Sequence, residues 1–151
     1  MQKEIGYIGL DKMGKNMVLR LLEKGWKVTA YNRSPEKTEE VKQKGAIGAE
    51  SLEELVSKLS APRVVWLMVS HKAVDEVLQK LFPILEKGDL VIDGGNSPYR
   101  ESIRREKESQ ERGIEFLDIG VSGGPDGARN GACMMVGGKK EIYDRLEKAQ
   151  F

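Results

Sequence analysis

The sequence predicts an α/β fold: a doubly wound, mostly parallel sheet with helices on both of its faces. Six short apolar runs recur along the 151 residues, and several are almost continuously apolar, as expected for parallel strands that are covered on both sides. Segments with helical periodicity and recognisable start signals separate these runs. Such an alternation favours one open sheet with crossover helices, so we treat residues 1–151 as one domain.

The predicted strands are the apolar runs themselves. The last run contains Cys133, the only cysteine of the chain, which excludes an internal disulfide and favours a reducing compartment. Because this cysteine lies among apolar residues, we expect a buried, inert thiol. The six runs are Ile5–Ile8, Val28–Tyr31, Val64–Val69, Leu90–Ile92, Phe116–Val121 and Cys133–Val136.

Helix boundaries are marked by serines, prolines and a glycine. Ser34 and Ser97 each precede a proline, which is typical of an N-cap followed by proline at the first helical position. Ser51 and Glu54 have the spacing of a capping box. Gly25 is expected to stop the first helix, whose apolar residues recur every four positions.

Two further helical segments are charged or lack an end. The stretch from Arg104 to Arg112 is predicted to be a solvated helix face rather than a binding tail. Between Glu141 and Phe151, Ile142 and Leu146 lie on one face of a helix, and no stop signal follows. We therefore expect the chain to end inside this helix.

The charge balance limits the classes of partner. The chain has 25 Lys and Arg against 24 Asp and Glu, so it offers no broad basic surface for nucleic acid. No apolar run approaches the ~20 residues of a membrane span. We expect a cytoplasmic protein with no nucleic-acid partner, no membrane partner and no metal site.

A glycine-rich turn connects the first strand to the first helix. In Rossmann-type folds, a turn at this position holds the pyrophosphate of a dinucleotide on the helix N-terminus. Asp11 replaces the middle glycine of that motif, and we expect its carboxylate to point outward with Lys12 or Lys15 compensating it. The alternative is a tight turn whose glycines serve packing only. The turn reads Ile8-Gly9-Leu10-Asp11-Lys12-Met13-Gly14.

The end of the second strand distinguishes between two cofactors. An acidic residue here would bind a ribose 2′-hydroxyl and favour NAD, but the sequence reads Asn32-Arg33-Ser34. A guanidinium suits a phosphate because it is planar, always charged and rich in donors. We therefore predict NADP rather than NAD, although Asn32 and Ser34 also suit turns and caps.

Three further segments follow predicted strands and are expected at the same edge of the sheet, where open α/β folds bind ligands. The segment Leu67 to His71 carries the only histidine, which we expect to be a bystander. In Asp93-Gly94-Gly95-Asn96-Ser97, glycines let the backbone approach a ligand, and Asn96 can face the cleft while Ser97 caps the next helix. The glycine-rich loop from Ser122 to Gly131 is either an anion-binding concavity or a flexible connection to an antiparallel strand.

The chain resembles the N-terminal coenzyme domain of the decarboxylating 6-phosphogluconate dehydrogenases over nearly its whole length. Its first turn and Ser-Gly-Gly loop are shared with the wider β-hydroxyacid dehydrogenase superfamily, whereas Asn-Arg-Ser and Asp-Gly-Gly-Asn-Ser look specific to the phosphogluconate branch. The resemblance implies oxidation of 6-phosphogluconate at C3 by hydride transfer to NADP, then loss of CO2 to give ribulose 5-phosphate. It rests on the segments IGLDKMGKNM, YNRS, LMV, IDGGNS and GVSGGPDGARNGACMMVGG.

The resemblance also implies roles for individual residues. Asn96 would lie between the cofactor and the sugar and would orient the substrate. The substrate itself, a sugar-acid phosphate, would contact Ser122, Gly123 and Gly124. The cofactor would contact Gly9, Leu10, Met13 and Gly14 at its pyrophosphate, Asn32, Arg33 and Ser34 at its 2′-phosphate, and Val69 at the strand end.

In the family that the chain resembles, the proton-abstracting lysine and the proton-donating glutamate come from an all-helical second domain that also forms the homo-oligomer. That domain is not part of the 151 residues, and neither Lys139 nor Lys140 has the context of the lysine. We therefore expect this polypeptide to bind NADP without turnover. Two alternatives stay open: the cofactor domain of another β-hydroxyacid dehydrogenase, of the 3-hydroxyisobutyrate type, and a stand-alone NADP-sensing module.

Overall fold

Strands and helices alternate strictly along residues 2–148, the part of the chain that the computed structural model describes. The strands are β1 Glu4–Ile8, β2 Lys27–Tyr31, β3 Ile47–Gly48, β4 Val64–Leu67, β5 Leu90–Asp93, β6 Glu115–Ser122 and β7 Cys133–Gly138. The helices are α1 Lys12–Glu23, α2 Pro35–Lys42, α3 Leu52–Ser57, α4 Val74–Leu81, α5 Tyr99–Glu111, α6 Gly124–Asn130 and α7 Lys140–Lys148.

The predicted doubly wound α/β fold of the Rossmann type is confirmed. All strands form one sheet in the order β3-β2-β1-β4-β5-β6-β7, and only the β6–β7 pair is antiparallel. The chain moves outward from β1 to β3 and then returns to β4 on the other side of β1. The loops that follow β1 and β4 therefore diverge, and the divergence leaves a crevice at the carboxyl ends of these strands.

The sheet separates two apolar cores, as the continuously apolar strands predicted. Tyr7 of β1 faces a core that it shares with α1, α2, α6 and α7, whereas its neighbour Ile8 faces a core with α3 and α4. Alternation of side chains along a strand sends successive residues to opposite faces. Both faces of the central strands are thus buried, and the loops at the strand ends rest on a rigid base.

Several predicted boundaries are confirmed and others are wrong. The capping box is present, because Glu54 N donates to Ser51 Oγ at 3.0 Å. Gly25 follows the C-cap of α1 with a φ of 81° and ends the helix as expected. Ser34 occupies the N-cap of α2 but makes no side-chain cap bond. The N-cap of α5 is Pro98, so the prediction that Ser97 caps this helix was wrong.

Three elements differ from the sequence prediction for identifiable reasons. The two-residue strand β3 is too short to show a pattern. Strand β4 ends at Leu67, so Val69 lies in the connection after it. Much of the predicted loop from Ser122 to Gly131 is helix α6, which glycine and proline concealed because both have low helix propensity.

The prediction of a buried Cys133 was wrong. All six residues of β7 are exposed, including Met134, Met135 and Val136. Within residues 2–148, β7 is one of the two edge strands and pairs only with β6, and its apolar run lacks the cover that the central strands have.

Helix α7 confirms the predicted final helix as far as Lys148, and it buries Ile142 and Leu146. The predicted continuation to Phe151 lies outside the described residues. Across residues 2–148, no helix is both long and apolar enough to cross a lipid bilayer.

Candidate functional site

Parallel strands bring their carboxyl ends to one edge of the sheet, and this edge collects the predicted site residues. The turn after β1 contains Gly9, and Arg33 follows β2. On the other side of the crevice, Val69 follows β4 and Asn96 follows β5, while Ser122 is the last residue of β6. Five separate stretches of sequence therefore lie along this edge, on both sides of the topological switch point between β1 and β4.

The glycines of the first turn are required by packing inside the protein. Gly9 has a φ of 101°, and a Cβ there would lie 2.3 Å from the carbonyl oxygen of Met68. A Cβ on Gly14 would lie 2.0 Å from the carbonyl oxygen of Gly9. Both distances are far below any real contact, so the turn holds α1 against the ends of β1 and β4 only with glycine at these positions.

The amino end of α1 is open to a ligand. Asp11 is its N-cap residue but makes no side-chain cap bond, so it leaves the first-turn N–H groups to other acceptors. The Asp11 carboxylate points outward, as expected, and accepts from Lys37 Nζ at 2.9 Å. The prediction that Lys12 or Lys15 compensates it was wrong, because Lys15 binds Glu40 instead.

Asn32 locks the first turn to the end of β2. Its Oδ1 accepts from Leu10 N at 2.9 Å, its Nδ2 donates to the Ser34 carbonyl at 3.1 Å, and its backbone N donates to Thr38 Oγ1 at 3.1 Å. The amide thus holds together two segments that are 22 residues apart and fixes the position of Arg33. Because an amide NH2 has two hydrogens, Asn32 can still donate one bond to a ligand.

Arg33 is exposed and makes no hydrogen bond or ion pair with any other residue in the range 2–148. It lies on the wall of a groove of about 590 Å³ between α2, β3 and α3, which Lys42 and Lys58 also line. Three glutamates line the same groove, and Lys42 and Lys58 are paired with two of them, so the groove carries no excess of positive charge. The guanidinium of Arg33 is uncommitted, and such a group can bind a phosphate monoester through two parallel N–H bonds.

The glycines after β5 approach protein atoms and not an open cleft, in contrast to the sequence prediction. A Cβ on Gly94 would lie 2.4 Å from Trp66 Nε1, and a Cβ on Gly95 would lie 2.3 Å from the carbonyl oxygen of Val69. Trp66 is fully buried and stacks on Tyr7 with a centroid distance of 6.1 Å. These contacts place the β5–α5 turn directly on the end of β4.

Asn96 is exposed at the tip of this turn, and its backbone conformation is unusual. Its φ of 58° makes it the only non-glycine residue with a left-handed conformation among residues 2–148. The fully buried Asp93 holds its neighbours: Oδ1 accepts from Gly95 N at 2.9 Å, and Oδ2 accepts from Ser97 Oγ at 2.6 Å. A strained polar residue held by its surroundings is typical of a functional site.

Arg105 of α5 is the main residue of the site region that the sequence prediction missed. Expected on a solvated face, it is only 2% exposed. Its guanidinium donates to Asp75 Oδ1 at 2.8 Å, Ser97 Oγ at 2.8 Å, the His71 carbonyl at 3.0 Å and Asp93 Oδ2 at 3.4 Å. The hydrogen bond from Arg105 holds the pKa of Asp75 below its ordinary value.

A weak signal for this burial exists in the sequence. Arg105 shares one face of α5 with Ser102 and Ser109, and these three are the buried residues of the helix. Small polar residues on the same helix face as an arginine can indicate that this face is buried. The sequence pattern alone does not distinguish such a face from a solvated one. Ser102 Oγ donates to Asp118 at 2.8 Å, and burial raises the pKa of that carboxyl.

The third loop begins at the exposed Ser122 and turns through Gly123, whose φ is 117°. Gly123 and Gly124 lead directly into α6, which packs against α1. Asn16 Nδ2 of α1 donates to the Pro125 carbonyl at 3.1 Å and ties this loop to the helix that starts at the first turn.

Lys139 and Lys140 lie far from this edge. Strand β7 runs antiparallel to β6, so Gly138 pairs with Leu117 near the start of β6, and the two lysines follow at the opposite edge of the sheet. Lys140 also pairs with Asp144 at 2.8 Å. The structure therefore separates both lysines from Asn96.

Comparison with known proteins identifies the family. A family model described as the NAD binding domain of 6-phosphogluconate dehydrogenase matches residues 4–149. The chain belongs to this family. The resemblance predicted from the sequence is thus confirmed, and the fold is that of a 6-phosphogluconate dehydrogenase coenzyme domain.

Relatives of this family cover almost all of the chain. The NADP(+)-dependent, decarboxylating 6-phosphogluconate dehydrogenase of Bacillus subtilis (strain 168) is 47% identical over an alignment of 151 positions, which covers 97% of this chain and 32% of that protein. A structure of Plasmodium falciparum 6-phosphogluconate dehydrogenase, solved in apo form and with its cofactor NADP+ and its substrate 6-phosphogluconate, matches with a TM-score of 0.90 at 42% identity, over 97% of this chain and 33% of that one.

The 3-hydroxyisobutyrate dehydrogenase of Mycobacterium tuberculosis has the same TM-score, 0.90, at 24% identity, over 99% of this chain and 51% of that one. At this identity the match shows a shared fold. The chain spans about a third of the length of the Bacillus and Plasmodium proteins.

Proposed function

We propose that this chain is the NADP-binding domain of a protein that oxidises 6-phosphogluconate at C3 and releases CO2 to form ribulose 5-phosphate. The observation that carries this proposal is the uncommitted guanidinium of Arg33, the residue after Asn32, whose amide bonds this segment to the first turn. The relatives named for this reaction are 42% and 47% identical to the chain, whereas the hydroxyisobutyrate dehydrogenase is 24% identical.

The residues at the crevice suit NADP. The first-turn N–H groups at Met13 and Gly14 have no side-chain cap and would hold the pyrophosphate, with Gly9 and Leu10 shaping the turn. Val69, in the connection after β4, would flank the cofactor. Arg33, Ser34 and the remaining N–H of Asn32 would bind the 2′-phosphate.

The reaction needs a hydride acceptor, which NADP supplies when it is bound. Asn96 would orient the sugar acid beside it, because this amide is exposed at the tip of the β5–α5 turn. Ser122, Gly123 and Gly124 would contact the substrate from the neighbouring strand. Side-chain and backbone N–H donors at these positions suit the carboxylate and hydroxyl groups of a sugar acid.

General acid and base groups are expected outside these 151 residues. Lys139 and Lys140 follow the wrong end of β7 to serve as the base. We further propose that the protein acts as a homo-oligomer in which a helical region supplies the acid and the base. A stand-alone NADP-sensing module remains the competing function, and it requires the same cofactor site without catalysis.

The proposal predicts that the 151-residue polypeptide binds NADP saturably but produces no NADPH from 6-phosphogluconate. Without a positioned acid and base it lacks assistance worth ~10²–10⁴-fold in rate. Calorimetric titration with NADP measures the first expectation, and NADPH absorbance in the presence of 6-phosphogluconate measures the second. Absence of NADP binding would refute the domain assignment. Turnover proportional to protein concentration would refute the placement of the acid and base elsewhere.

A further inference from the structure

A buried arginine needs an explanation, because removing a charge from water is costly unless partners compensate it. Arg105 is 2% exposed, whereas the side chain of Arg104, the preceding residue of the same helix, is 41% exposed. Helix propensity does not explain the burial, because arginine is an equally good helix former on an exposed face. The explanation therefore lies in what the guanidinium connects.

The four acceptors of Arg105 belong to two loops of the crevice. The His71 carbonyl and the Asp75 carboxylate lie in the β4–α4 connection and the first turn of α4. Asp93 and Ser97 bracket the β5–α5 turn. These loops carry Val69 and Asn96, respectively. One planar guanidinium with five donors thus joins both walls of the region beyond β4 and β5.

The connection reaches Asn96 from both sides. Ser97 Oγ accepts from Arg105 and donates to Asp93 Oδ2, while Asp93 Oδ1 accepts from Gly95 N. Gly95 and Ser97 are the immediate neighbours of Asn96. Asparagine adopts the left-handed conformation more readily than other residues with a Cβ, and the bonds on both sides hold Asn96 in it.

We propose that Arg105 is a positioning residue that fixes Asn96 relative to Val69 and so shapes the site for the nicotinamide half of the cofactor. This role rests on the proposed function. The adenosine 2′-phosphate would bind at Arg33, on the other side of β1, where Arg105 has no contact. Lysine cannot replace the arginine, because a single ammonium lacks the planar fork that reaches acceptors in two loops.

The test compares two ligands on two variants. NADP spans both halves of the site, whereas 2′,5′-ADP carries the adenosine and its 2′-phosphate but no nicotinamide. Arg105→Lys is expected to weaken NADP binding by about tenfold, the equivalent of one lost charged hydrogen bond, and to leave 2′,5′-ADP binding unchanged. Arg104 is unsuitable as a control because it also donates to Asp75. Arg112→Lys is the matched change at the C-cap of α5, where the guanidinium contacts the Glu108 carbonyl and the Phe82 ring, and it should alter neither affinity.

Hydrogen exchange supplies a readout that needs no cofactor. In the free Arg105→Lys variant, the amides of Gly95 and Asn96 should exchange faster than in the parent, while amides of β1 keep their protection. If Arg105→Lys does not fold, Ser97→Ala can replace it, because this change removes the hydroxyl that bridges Arg105 and Asp93. It should likewise weaken the binding of NADP and leave the binding of 2′,5′-ADP unchanged.

The outcomes separate this role from the proposed function. Equal weakening of both ligands, or weakening of neither, would overturn the positioning role while leaving the proposed function intact. Failure of the parent chain to bind 2′,5′-ADP would instead overturn the proposed function, and the role of Arg105 with it. Faster exchange at Gly95 and Asn96 together with selective loss of NADP is the result that supports the inference.

Discussion

Arg33→Asp is expected to weaken NADP binding by about 10- to 100-fold and to change NAD binding far less. A hydrogen bond to a charged group contributes ~1.5–3 kcal/mol, and each ~1.4 kcal/mol corresponds to a factor of ten. Arg33 has no hydrogen-bond or ion-pair partner within residues 2–148, so its replacement breaks no polar interaction there. The introduced carboxylate repels a 2′-phosphate but can accept a bond from the free 2′-hydroxyl of NAD.

Calorimetric titration of both cofactors measures this preference. Lys87→Asp is a suitable control because it makes the same change in net charge in the connection before β5, at the opposite edge of the sheet. It should leave the ratio of NADP to NAD affinity unchanged. An unaltered ratio in Arg33→Asp would show that the guanidinium does not contact the 2′-phosphate.

Gly14→Ala is expected to destabilise the fold and to abolish tight NADP binding. Its Cβ would lie 2.0 Å from the Gly9 carbonyl oxygen, and α1 cannot simply withdraw because Met17, Val18 and Leu21 anchor it in the core. Overpacking of this kind costs about 1–3 kcal/mol. The helix end must shift, and a displacement near 1 Å at a binding site can cost about 10²-fold.

Urea unfolding and NADP titration measure the two effects of Gly14→Ala. Gly137→Ala is the matched control, since the nearest atom to a Cβ there is 3.8 Å away and its φ is not in the left-handed region. The control should retain the stability and NADP affinity of the parent. Parent-like behaviour in Gly14→Ala would contradict the close approach of α1 to the first turn.

Much of the fold could be predicted because the governing pattern is local. Parallel strands buried on both faces leave continuous apolar runs, and the parallel arrangement itself brings Gly9, Arg33 and Asn96 to one edge. Both features follow from the sequence without knowledge of any tertiary contact. Strand β3 was not predicted for the same reason, because its two residues are too few to show a periodic pattern.

The other failures depend on what surrounds a segment. Arg105 is surrounded by charged residues in sequence, but its partners come from β5 and from the connection to α4, which no local pattern reveals. Cys133 lies in an apolar run, but β7 is an edge strand within residues 2–148. The glycines after β5 were expected to face a ligand and instead fit against Trp66 and Val69.

A crystal structure of the chain with NADP bound would show directly whether Arg33 binds the 2′-phosphate. We expect the pyrophosphate at the amino end of α1 and a 2′-phosphate oxygen within hydrogen-bond distance of the Arg33 guanidinium. A cofactor whose 2′-phosphate points to solvent away from Arg33, or a crevice that stays empty at saturating NADP, would contradict this expectation.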